Sequence, residues 1–157
     1  MADWKQRLAE LGLKLPVVAA PVAAYVPAVR TGSHVFTSGQ LPFVDGSLAA
    51  TGKVGAEVTP EQAKELAGLC ALNALAVVDD LVGLERVVRI VKVVGFVASA
   101  EGFTGQPGVI NGASELLGSV FGDAGKHARS AVGVAELPLG APVEVEMIVE
   151  VASPSPR

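Results

Sequence analysis

Few groups in this sequence could do chemistry, and most of the candidate motifs fail on spacing. Gly125-Lys126 looks like the end of a phosphate loop, but His127 follows where Ser or Thr is needed, and no upstream glycine sits at the required distance. Gly102, Gly105 and Gly108 follow a β-branched run without opening a dinucleotide fold. His34 and His127 are the two histidines, far apart and without carboxylates at ligand spacing, so no metal site is expected. One reads as a strand histidine, the other as a loop histidine. Cys70 is the single cysteine, which excludes an internal disulfide and a thiolate cluster. It falls on the apolar face of a helical pattern, where a free thiol is inert packing.

Arg129 and the glutamates of the last apolar run remain. A planar guanidinium pairs with a carboxylate through two parallel hydrogen bonds. A glutamate shielded in a cleft can take a proton from water and return it to a leaving group. Val143, Val145, Met147, Val149 and Val151 alternate with Glu144, Glu146, Ile148 and Glu150, which describes a strand with one apolar face. A hairpin through Leu137–Pro142 would lay this strand beside the one carrying Arg129. On pattern alone, an ordinary cross-strand ion pair is the favoured reading of Arg129 and Glu144, and nothing chooses among Glu144, Glu146 and Glu150.

These residues need a scaffold, and its elements are legible in order. Trp4, Leu8 and Leu11 share one face of a short N-terminal helix. Residues 13–24 are rich in Pro, Val and Ala and read as an extended lead-in. Tyr25–Val29 and His34–Gln40 read as strands, and the loop from Asp45-Gly46 to Gly55 has room for a short third. Thr59 is a helix cap with Pro60 at the first position, Gln62 completing a capping box, and Gly83 as the stop. Val87–Ala98 is a β-branched strand, and Asn111–Phe121 is a helix burdened by Gly112 and Gly118. Ser130–Glu136 and Val143–Val151 are the closing strands. Strands, helix, strand, helix, strands predicts an α+β fold, with a single mixed sheet of about six strands and two helices on one face.

The chain has 157 residues, enough for one domain over 1–152, with a helical extension at about 3–12 and a frayed tail at 153–157. Half the residues are apolar and 18% are charged. That composition excludes disorder and suggests that apolar surface is buried between subunits. The longest uncharged run, Leu15–Val29, is 15 residues and holds Pro16, Pro21 and Pro27, so no membrane span is expected. Without a signal-peptide pattern, the expected location is cytoplasmic. The net charge is −4 with no Lys/Arg block, which disfavours nucleic acid as a partner. No cofactor is expected.

Several segments then fall into one order: Thr37-Ser38-Gly39-Gln40-Leu41-Pro42, Leu72-Asn73 in a helix, Ala128-Arg129-Ser130, Glu136-Leu137-Pro138 and Val143-Glu144-Val145-Glu146. From about Tyr25 to Val151 the chain resembles the RidA/YjgF (reactive intermediate deaminase) family. The resemblance implies a homotrimer of chorismate-mutase-like subunits with small-molecule sites in the clefts between them. It also implies hydrolysis of enamine and imine intermediates to 2-keto acids and ammonia. Carried over by position, Arg129 would clamp the substrate carboxylate and Glu144 would handle the attacking water. Tyr25 matches the site tyrosine, Gly39 the glycine whose backbone faces the ligand, and Asn111, more loosely, a residue opening the second helix. Ala131 stands where the family carries a cysteine, Ala23-Ala24 where it carries Gly-Pro, and Pro27 where glutamine is common. The N-terminal helix and one extra residue between Asn111 and Arg129 also mark a divergent branch. The alternative is a non-catalytic trimeric module that binds a 2-keto or amino acid. Ribonuclease activity, a name attached to some relatives, is disfavoured by the acidic charge.

Overall fold

The computed structural model describes residues 3–18 and 23–153. Residues 19–22 of the expected lead-in and 154–157 of the expected tail lie outside the described residues. The elements are α1 (Trp4–Glu10), β1 (Ala28–Thr31), β2 (His34–Thr37), β3 (Phe43–Val44) and β4 (Ser47–Leu48), followed by α2 (Pro60–Val82) and β5 (Val87–Ala98). The chain closes with α3 (Gln106–Phe121), β6 (Ala128–Val134) and β7 (Val143–Val151). Among the described residues no helix is long and apolar enough to cross a membrane.

Local signals set α2. Thr59 accepts the Gln62 amide at 3.1 Å, Pro60 sits in the first turn, and Gly83 at φ 87° ends the helix. Position 3.6 residues apart then decides burial: Ala63, Ala67, Cys70, Ala74, Val77 and Val78 are all inside. α3 begins at Gln106, five residues before the expected start. Gly105, Pro107 and Gly108 read as loop in sequence, yet Pro107 is at home in a first turn, where its missing N–H costs nothing.

The main sheet has five strands in the order β1-β2-β7-β5-β6, with β5 and β6 parallel and the other pairs antiparallel. The expected third strand is instead a separate β3–β4 ribbon. Its turn is Asp45-Gly46, at φ 50° and 85°, the two left-handed positions a tight hairpin turn requires. The two closing strands are not neighbours, contrary to the hairpin expected from sequence. β5, α3 and β6 form a crossover unit that places β6 parallel to β5 at the sheet edge. Residues 135–142 then pass the end of β5, where the Ala98 amide bonds the Pro142 carbonyl and the Ser99 amide bonds the Val134 carbonyl. β7 enters on the other side, between β5 and β2.

Both long helices cover one face of this sheet. Val35, Ile90, Val93, Val97, Val143, Val145 and Val149 are fully buried beneath them. α1 closes one end: Leu8 is buried, and the Trp4 indole donates to the Val87 carbonyl at 2.9 Å with its ring edge-on to Phe121.

The two glycines that burden α3 differ in purpose. At Gly112 a Cβ would run into the Lys64 carbonyl of α2, so the helices cross there at backbone distance, whereas at Gly118 a Cβ meets nothing. Gly112→Ala is therefore expected to destabilise by about 1–3 kcal/mol through forced repacking. Gly118→Ala is expected to stabilise by about 0.5–1 kcal/mol through helix propensity alone. Urea unfolding of both variants checks the pair.

Candidate functional site

The site residues fall into two groups. β6 holds Arg129 in register with Val93 of β5, on the side of the sheet that carries α3. α3 presents Asn111 and Ser114, one turn apart and so on one face. Arg129 Nη1 donates to Asn111 Oδ1 at 2.7 Å and to Ser114 Oγ at 3.3 Å. Nε and Nη2 carry no hydrogen bond among the described residues. The guanidinium borders a cleft of about 360 Å³, together with Ser114, Gly118, Gly125, Lys126 and His127. His127 Nε2 is 2.9 Å from Ser114 Oγ, and its Nδ1 is 2.7 Å from the Gly125 carbonyl. Ala131, two residues beyond Arg129 on β6, is in register with Gly95 and packs against the core.

The second group lies on the opposite face. The valines of β7 point at the helices, so Glu144, Glu146, Ile148 and Glu150 line the open face and are half-buried. Beyond the end of β2, Gln40 bonds Val145 in both directions, at 2.8 and 3.0 Å, which draws residues 38–40 alongside β7. Gly39 is pressed against Glu144: a Cβ there would lie 2.6 Å from the carboxylate Oε1. Burial raises the Glu144 carboxyl above its ordinary value, and the charge of Glu146 adds to the rise. Tyr25, 61% exposed, precedes Val26 and Pro27, whose carbonyls accept from the Ser38 hydroxyl and amide, both at 2.7 Å. The tyrosine segment is thereby tied beside Gly39.

The structure thus brings Arg129 to Asn111, and Gly39 to Glu144, but it keeps Arg129 from Glu144. β5 stands between their strands and the sheet between their side chains, so no cross-strand ion pair forms. Sequence reasoning passed over Ser114 and His127, and read His127 as an isolated loop histidine. The usable signal was parity: Ser114 lies three residues after Asn111 on a helix, and His127 two before Arg129 in an extended run. Cys70 is fully buried, its thiol pushed up by burial, with Sγ 3.9 Å from the Val143 carbonyl. It is part of the core.

Residues 5–151 match the family model described as "YjgF/chorismate_mutase-like, putative endoribonuclease". Protein TCP17 of Trypanosoma cruzi is 48% identical over 145 residues, covering 91% of each chain. The crystal structure of Atu1372 from Agrobacterium tumefaciens superimposes with a TM-score of 0.89 at 46% identity, covering 95% of this chain and 92% of the other. That of E. coli TdcF with bound serine superimposes with a TM-score of 0.60 at 27% identity, covering 87% and 94%. With the five-stranded sheet, its two covering helices and a match along almost the whole sequence, the chain belongs to the YjgF (RidA) family of chorismate-mutase-like proteins.

Proposed function

We propose that the chain forms a homotrimer which hydrolyses small 2-imino acids, and their enamine tautomers, to 2-keto acids and ammonia. The observation that carries this reading is the held guanidinium: Arg129 is anchored through Nη1 by Asn111 and leaves its other N–H groups beside an open cleft. That is the arrangement a carboxylate clamp needs. A clamp and a base on opposite faces of one sheet cannot close on a single substrate within one chain. They can meet where the open face of one subunit packs against the β6 edge of the next, which a closed threefold ring does three times. Phe36, Val94, Phe96 and Ile148 on the open face supply apolar area for such packing.

In this reading the Arg129 fork binds the substrate carboxylate and sets the C=N carbon in the cleft. The neighbouring subunit's Glu144 takes a proton from water as the oxygen attacks that carbon. The same carboxyl returns that proton to the nitrogen, giving a carbinolamine. The carboxylate then takes the hydroxyl proton and passes it to the nitrogen, so that the C–N bond breaks and ammonia leaves as the carbonyl forms. A carboxyl raised above its ordinary range suits both halves of that exchange. TdcF, a relative solved with bound serine, is consistent with small amino-acid-like ligands. RNA fits less well, because the open face carries Glu144, Glu146 and Glu150 and the net charge is −4. Ala131, which supplies no thiol, favours the second reading, a trimer that binds the same acids without turning them over.

Imines generated in situ from a panel of amino acids, with ammonia release as the readout, separate the two. Saturable release above the buffer rate is expected, from a particle of about 48 kDa by light scattering, three chains of 15.9 kDa. Carboxylate binding without release leaves the binding module. A monomer removes the site.

A further inference from the structure

Beyond the clamp itself, the polar groups behind it form a chain with a single direction. The Gly125 carbonyl can only accept, so His127 Nδ1, 2.7 Å away, must carry the ring hydrogen. A neutral imidazole has one N–H, so Nε2 is then an acceptor, and the Ser114 hydroxyl 2.9 Å away donates to it. With its hydrogen committed, Ser114 Oγ turns lone-pair density outward, and Arg129 Nη1 donates to that oxygen at 3.3 Å. Every donor in the series meets an acceptor: Arg129 to Ser114, Ser114 to His127, His127 to Gly125. The backbone end of the chain is fixed as well. Gly125 is buried in the 3-10 turn Gly122–Gly125, and a Cβ there would strike the Leu117 carbonyl of α3. The missing side chain lets this turn press against α3 and deliver its carbonyl to the histidine.

We propose that Ser114 and His127 are positioning residues for the Arg129 clamp, and that the tautomer of His127 sets which way the guanidinium fork faces. Asn111 alone gives Nη1 one acceptor and leaves the guanidinium free to swing about it. Ser114 Oγ, oriented by His127, supplies the second, and two acceptors on one nitrogen fix the plane of the fork. The remaining edge is then presented to the cleft in one orientation, which lowers the ordering cost of a two-point carboxylate contact. Neither residue touches the reacting carbon in this scheme. Both act through Arg129, and the inference rests on reading Arg129 as a carboxylate clamp.

Calorimetric titration of pyruvate into the full-length oligomer, with turnover measured in parallel, tests the idea. Ser114→Ala is expected to weaken pyruvate binding by about tenfold and to raise KM in step, with kcat nearly unchanged, the loss of one charged hydrogen bond. His127→Gln is expected to retain most of the affinity, because the Gln Oε1 reaches the place of Nε2 and accepts from Ser114. His127→Asn reaches only the Nδ1 position, keeps the bond to Gly125 and loses Ser114, and it should match Ser114→Ala. The double variant Ser114→Ala/His127→Asn should be no worse than either single change, since all three break one chain. Nitrogen-15 spectra of wild type should show a protonated Nδ1 and a bare Nε2. A merely structural pair would lower the melting temperature of all these variants while leaving their affinities together with wild type. That result, additive losses, or the opposite tautomer overturns the inference and leaves the clamp standing, provided wild type binds pyruvate and Arg129→Lys binds it about 10–100-fold more weakly. If wild type does not bind a 2-keto acid at all, the clamp reading and this inference fall together.

Discussion

Glu144→Gln is expected to lower imine hydrolysis by about 10²–10⁴-fold, the range in which a positioned acid–base group contributes. The amide keeps the shape beside Gly39 but cannot take a proton from water. Carboxylate binding through Arg129 should survive, so the loss should appear in kcat and not in the dissociation constant of pyruvate. The pH profile carries the same signature. Burial and Glu146 raise the Glu144 carboxyl, so the acid limb of the wild-type rate should lie above the ordinary glutamate range. That limb should vanish in whatever activity Glu144→Gln retains. Stability moves in the opposite direction. Glu144 keeps its proton to a higher pH in the fold than in the unfolded chain, so across that window the folded state binds more protons and stability falls as pH rises. Glu144→Gln should thus melt higher than wild type at neutral pH and level with it below the unfolded value. Glu150→Gln, on the same face but far along β7, should leave turnover within about twofold.

The second large effect is expected at Arg129. Arg129→Lys keeps the charge but replaces a planar fork with a point charge, and a lysine cannot hold both Asn111 and a two-point carboxylate contact. Pyruvate affinity should fall by about 10–100-fold, the worth of a hydrogen bond between charged groups. An ion pair of purely structural use would have tolerated the exchange, but the structure gives Arg129 no carboxylate partner among the described residues. Unchanged affinity in Arg129→Lys would remove the clamp from the proposed mechanism.

What could be read from sequence was what depends on neighbours in the chain. The cap at Thr59, the stop at Gly83 and the alternation of Val143–Val151 are each decided within a few residues, and each appears in the structure as the pattern requires. What failed was long-range pairing. No local feature says that β7 slots between β2 and β5, because the strand is equally apolar on its inner face beside any partner. The displaced start of α3 has a different cause. Gly105, Pro107 and Gly108 have poor interior propensity but sit in the first turn, where propensity counts least. The site shows the same division. Resemblance supplied Arg129, Glu144, Gly39 and Asn111 by position, and the contacts of Arg129 with Asn111 and of Glu144 with Gly39 followed. Ser114 and His127 gave no signal by type, since their partnership spans a helix, a turn and a strand.

The opposed placement of Arg129 and Glu144 has a genetic consequence. If each working cleft takes its arginine from one subunit and its glutamate from the next, an Arg129→Lys chain with a weakened clamp and a Glu144→Gln chain with a lost base carry complementary lesions. Any trimer that contains both kinds has one junction where an intact arginine meets an intact glutamate. At substrate concentrations well below saturation, equal, random mixing should then restore about one quarter of the wild-type activity from two impaired parents, because about three-quarters of the rings are mixed and each has one sound cleft in three. Were both groups to act within one chain, co-expression would restore nothing. The two alleles would complement only because the sheet holds them on opposite sides.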